Sequence, residues 1–304
     1  MSEGGRIRFA VAGTYGANTQ TLTFNPNQTA NPSLDLQTSN IAVTVAPNVT
    51  LSADTRFEPS GSSGSVTLSG NLSGSGALIK QAAGNLILSG TGNTASGATQ
   101  IGNGTLTVNS GSAMGTGALT LAQTSTNATT VTLNNGSQSV GSLSSSWTAT
   151  TGTINQRINL NGTALTVNQA TDGTFGTGAV STLTSTIAGT GSLTKSGSAT
   201  LTLTSTNSYT GTTTVNAGKL IVNGNISTSS LTTVSGTGTL AGSGTVGALT
   251  AASGGTIAPG NSPGILNAGN TILQEGSTLS MEINGVTAGT VSYTHLTLPT
   301  KRIV

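Results

Sequence analysis

The densest grouping of chemistry-bearing side chains in the chain is "SADTRFEPSG", residues 52 to 61, which holds Asp54, Arg56 and Glu58. Clustered carboxylates, or carboxylates with Arg or Lys and often calcium, are what polysaccharide lyases and hydrolases need. The plainer reading is a solvated turn ending at Pro59, because only 5% of the chain is charged. Asp172 in "ATDGTFG" reads as a turn residue, with Gly173 supplying permissive backbone. Glu275 and Glu282 flank a strand and are expected to be exposed. With no cysteine and a single histidine, His295, no metal-ligand spacing exists. "GSGTVG" at 242 to 247 has the letters of a phosphate-binding loop, but "ALTAASGG" follows where a helix would be needed. The Gly-Gly-x-Gly-x-Asp repeat of calcium-binding β-rolls is absent. Tyr209 and Trp147 could stack on a sugar, yet isolated aromatics of this kind more often cover a turn or a core end. No residue is therefore assigned a catalytic, cofactor-binding or metal-binding role, and no cofactor is expected.

What must position these side chains is an unusual polypeptide. It has 3% aromatic residues and 44 glycines in 304, so any core is thin and aliphatic. A disordered chain would lack periodic apolar residues. Here Leu201 and Leu203 alternate with Thr200, Thr202 and Thr204, and the pattern recurs at Leu86/Leu88, Leu106/Val108, Val131/Leu133 and Leu220/Val222. Alternation with period two puts one face of a strand indoors. "STNS" at 205, "NAG" at 216 and "NNG" at 134 mark corners, since Asn and Gly tolerate left-handed backbone. The stretch 198 to 224 thus divides into arcs near 199–204, 209–215 and 219–223. Helical periodicity is nearly absent, and the fold class is all-β. Asn-Gly pairs taken alone favour hairpins, but an internal repeat favours stacked coils. Residues 72–109 overlie 187–223 with one residue of slippage near 92, matching Leu78 to Leu193, Lys80 to Lys195, Gly97 to Gly211 and Gly104 to Gly218.

These two segments resemble the passenger-associated repeat of Gram-negative autotransporter proteins. Copy two carries Lys195, Leu201, Leu203, Asn207, Tyr209, Gly211, Val215, Gly218 and Leu220 at the pattern positions, whereas copy one has Ala95 where Tyr is usual. "GGTIAPGNSPGIL" at 254 to 266 is similar to a segment common toward the end of such passengers. The resemblance implies a right-handed parallel β-helix, a single elongated rod over 9–290, at the bacterial surface. An outer-membrane barrel or other anchor is then expected outside this stretch, and host or surface polymers are the expected partners. With strands about 4.8 Å apart, about a dozen rungs would make a rod of roughly 60 Å.

The basic isoelectric point is a property of the ends. Between 9 and 290 the basic residues Arg56, Lys80, Arg157, Lys195 and Lys219 face the acids Asp35, Asp54, Glu58, Asp172, Glu275 and Glu282. No basic patch with interleaved aromatics occurs, so nucleic acid is not an expected partner. Residues 1–8 read as a non-native or poorly ordered start. "VSYTHLTLPTKRIV", 291 to 304, breaks the pattern and resembles translated adapter sequence, which would leave His295 without function. The start lacks the apolar core of a secretory signal, so the chain is expected to be an interior piece whose leader and anchor lie elsewhere. Three functions are compatible with these readings: a non-enzymatic structural or adhesive rod, a carbohydrate-active β-helix enzyme needing acids that converge from adjacent rungs, and an ice-binding solenoid needing a regular threonine array.

Overall fold

The structure is a computed structural model and describes residues 6–281, apart from 18, 26–31, 37, 110–113, 135, 149–154, 177–183 and 261–263. The described residues contain strands, bridges, turns and bends and no helix. Every named strand pairing is parallel and joins a strand to one further along the chain, and about 11 coils stack into a β-solenoid. The parallel-coil layout, and not the hairpin layout, is the observed one.

Three faces enclose the core. The first begins with Arg6–Phe9, Ser33–Leu36, Thr55–Glu58, Leu78–Lys80 and Thr99–Ile101 and continues through Leu119–Gln123 and Leu143–Trp147. The second runs from Gly13–Tyr15 through Asn85–Leu88 and Gly104–Val108 to Thr184–Gly189 and Ser208–Tyr209. The third starts with the three-stranded sheet of Thr21–Phe24, Asn48–Leu51 and Leu72–Ser73, while Ala164–Val167 and Ser192–Lys195 belong to a separate 11-stranded sheet. Arg6, Ile7 and Arg8 pair with Ser33, Leu34 and Asp35 within this scheme. Residues 1–5 and the stretch 291–304 lie outside the described residues.

Alternation builds the core directly. On the second face the register links Val43, Val66, Leu86, Leu106, Val131, Ile158 and Ile187 into one inward column, and all are buried. Burial of each such side chain stabilises by about 1.5–3 kcal/mol. Main-chain hydrogen bonds tie coil to coil, as in Asn85 N to Gly64 O at 2.8 Å and Thr105 N to Gly84 O at 3.2 Å. Coil length varies, from the short interval between the partners Leu240 and Ile257 to the long one between Ile158 and Ile187. Glycines allow the coils to approach at the corners. A Cβ on Gly97 would lie 2.0 Å from Gly76 O, and one on Gly117 would lie 2.1 Å from Gly97 O.

Two details depart from the corner expectations. Residues 213–222 form one strand rather than two arcs, because the ladder to Thr232–Gly242 persists through a register shift between Val215 and Ala217. Asn207 is buried and has no positive φ; Asn40 and Ala82 are the described non-glycine residues that do. Its contribution is a side-chain hydrogen bond, not a backbone conformation.

Candidate functional site

The period-two pattern that buries Leu78 and Leu193 also turns Lys80 and Lys195 inward, and both lysines are fully buried. At Lys80 the ammonium donates to Gln81 O at 3.0 Å, Ala82 O at 2.8 Å and Asn103 O at 2.9 Å. The Lys195 ammonium donates to Ser196 O at 2.7 Å, Gly197 O at 2.9 Å and Ala217 O at 3.0 Å. In each copy the first two acceptors belong to the lysine's own corner and the third to the next coil. Burial pushes Lys80 down to about 7 and Lys195 down to about 8, with the charge of Asp172 opposing the shift at Lys195. All three donors of each ammonium are engaged with main chain, so these amines close corners and present no free group to a substrate.

The repeat asparagines act in the opposite direction along the rod. Asn93 Oδ1 accepts from Leu72 N at 2.7 Å, and Asn207 Oδ1 accepts from Ile187 N at 2.9 Å, each reaching the preceding coil. Lysine forward and asparagine backward together fasten three consecutive coils. Gly104 and Gly218, at φ 72° and 63°, carry the left-handed step beside the third carbonyl. The two copies nevertheless sit in different sheets, since Leu78–Lys80 belongs to the seven-stranded sheet and Ser192–Lys195 to the 11-stranded one.

Charged side chains gather at the N-terminal coils. Asp35 and Glu58 are register partners on adjacent rungs of the first face, the kind of convergence an acid–base pair requires. Both are already occupied by guanidinium groups. Arg6 Nε and Arg8 Nε lie 3.2 and 3.3 Å from Asp35 Oδ2, and Arg6 Nη2 lies 3.5 Å from Glu58 Oε2. Asp54 and Arg56 do not join the pair: Asp54 Oδ1 accepts from Ala77 N at 2.9 Å at the following corner, and Arg56 is exposed.

The remaining sequence-flagged residues have local roles. Asp172 Oδ1 accepts from Thr200 N at 2.7 Å, fastening a turn to the next coil. Glu275 is exposed in a turn, while Glu282 and His295 lie outside the described residues. Tyr209 is buried, and its hydroxyl lies 2.7 Å from Thr213 Oγ1, which is 2.9 Å from Ser229 Oγ. It is therefore a core residue and not a sugar platform. Trp147 is half-buried at the end of its strand. Gly242, at φ 115°, and Gly244 are tight coil contacts, since a Cβ would meet Val222 O at 2.2 Å and Gly224 O at 2.0 Å. The described residues hold no group of three or more metal-ligating side chains.

Two segments match the passenger-associated-transport-repeat family model: residues 78–108 and 193–222. They begin next to the two lysines and end at the strands whose corners those lysines close. No curated protein and no solved structure matches the chain. The chain is a β-solenoid in which two segments match the passenger-associated repeat. Sequence reasoning paired Lys80 with Lys195 but gave them no role. The available signal was parity, because a lysine sits where the alternation calls for an apolar side chain.

Proposed function

We propose that this chain is the structural part of an exported bacterial surface protein, a solenoid that holds an adhesive or spacing surface away from the cell. The observation that carries this reading is the chemistry of the repeat itself. Its lysine, asparagine and glycines are consumed in joining coils, and the matching family is that of passenger-associated repeats. The expected partners are host or surface polymers, together with a membrane anchor supplied by sequence outside this segment. A carbohydrate-active enzyme is the second reading, favoured by the in-register acids Asp35 and Glu58. It ranks lower because Arg6 and Arg8 already hold those acids.

The test is display. The chain, with an N-terminal epitope, is placed between an export leader and a translocating β-barrel in a Gram-negative host. Surface export is expected to make the epitope accessible to antibody and protease on intact cells, and displaying cells should adhere to immobilised polymers more than barrel-only cells do. A chain that folds yet stays inside the outer membrane would overturn the export reading. Cleavage of an acidic or neutral polysaccharide, lost in Asp35→Asn or Glu58→Gln, would replace the structural reading with the enzymatic one.

A further inference from the structure

The corner beneath each repeat lysine is more specific than burial of a long side chain requires. Three main-chain carbonyls converge on one nitrogen in both copies, at 2.8–3.0 Å around Lys80 and 2.7–3.0 Å around Lys195. Neither lysine forms an ion pair among the described residues, so the groups that meet each nitrogen at contact distance are main-chain carbonyls. We propose that each repeat lysine fills a cation cradle made of three main-chain carbonyls, and that the cradle, emptied of its side chain, takes up a free primary ammonium ion.

Two further observations show that the backbone shapes the cradle. The second carbonyl belongs to a residue in left-handed conformation in both copies, Ala82 at φ 65° and Gly197 at φ 72°. A non-glycine residue keeps that conformation where its surroundings over-determine it, so the carbonyl of Ala82 is held toward the nitrogen at a conformational cost. Elsewhere corners are closed by neutral amides. Gln123 Nε2 donates to Ser125 O and Gln169 Nε2 to Thr171 O, both at 2.8 Å and both two residues on. Those corners repeat the lysine's contact with the carbonyl two residues on. The lysine corners add carbonyls one residue on and one coil on. A trio of this kind matches the three N–H bonds of a primary ammonium ion.

Truncation to alanine removes the three methylenes and amine that n-propylammonium restores. The experiment measures urea unfolding of Lys80→Ala and Lys195→Ala in n-propylammonium chloride, in tetramethylammonium chloride of equal ionic strength, and in 1-propanol. With a dissociation constant of about 10 mM, about 0.1 M propylammonium shifts the folding equilibrium roughly tenfold. The expected result is that shift in each alanine variant relative to tetramethylammonium, with none in the unsubstituted chain. Equal unfolding in the two salts overturns the proposal, as does equal rescue by 1-propanol, which would mean that the stem and not the charged head fills the site. Where an alanine variant is unfolded in plain buffer, failure of propylammonium to refold it also overturns the proposal.

Discussion

Replacing Lys80 with methionine keeps most of the side-chain volume and removes every donor from the corner. Three carbonyls, now 2.8–3.0 Å from the ammonium, lose their partner. A buried acceptor without a donor costs about 1–3 kcal/mol, and a volume-conserving apolar swap adds little cavity cost. Relief from burying a charge offsets part of the loss. The lower end of that range, about 3 kcal/mol for the trio, is the expected cost of Lys80→Met near neutral pH. Urea unfolding read by circular dichroism gives the global effect. Hydrogen exchange at Gln81, Gly84 and Gly104, whose amides bond across coils, gives the local one, which matters because stacked repeats can unfold in parts. Lys219→Met, at an exposed position, is the control and should change stability by less than about 0.5 kcal/mol. If Lys80→Met proves as stable as the control, with unchanged exchange at the three amides, the corner-closing role of the ammonium is wrong.

Other outcomes follow from the same geometry. Ala82→Gly should stabilise by up to about 1 kcal/mol by relieving a left-handed alanine, while Gly197→Ala should destabilise, because its Cβ would lie 2.5 Å from Asn168 O; thermal unfolding checks both. Asn207→Ala should cost about 1–3 kcal/mol by orphaning Ile187 N, and Asn207→Asp should cost at least as much in the same assay, since it keeps the acceptor for Ile187 N but loses the donor to Ser205 O and buries a carboxylate. Lys80 and Lys195 have folded values of about 7 and about 8 against 10.5, so the unfolded chain binds more protons across that window. Stability should therefore rise with pH from about 7 to 10.5 and be flat in this contribution below 7. The double variant Lys80→Met/Lys195→Met should lose that slope in urea titrations at stepped pH.

The core was legible because it obeys one rule. Leu86, Leu106 and Val131 are inward on period two, and their stacking follows once the coils are parallel. The repeat was legible too, down to Lys80 opposite Lys195 and Gly104 opposite Gly218. The third acceptor of each lysine was not, since Asn103 O and Ala217 O become neighbours only when the next coil closes. The pairing of Asp35 with Glu58 was hidden for the same reason. Coil lengths vary, so register cannot be counted along the chain, and Asp54, nearer to Glu58 in sequence, is drawn off to cap Ala77. For Tyr209 the sequence favours covering a turn or a core end over stacking on a sugar, and the residue is buried, but its partner hydroxyls, Thr213 and Ser229, become its neighbours only after folding.

The most direct test of whether the repeat residues build corners rather than perform chemistry is the reactivity of the amines. Native chain is treated briefly with an acylating reagent, and the modified lysines are mapped by mass spectrometry. Exposed Lys219 should react, while Lys80 and Lys195, buried with all donors engaged, should stay unmodified until urea unfolds the chain. Modification of either repeat lysine in the native state as fast as Lys219 would contradict the account, and modification faster than Lys219 would mark the corner as a reactive site.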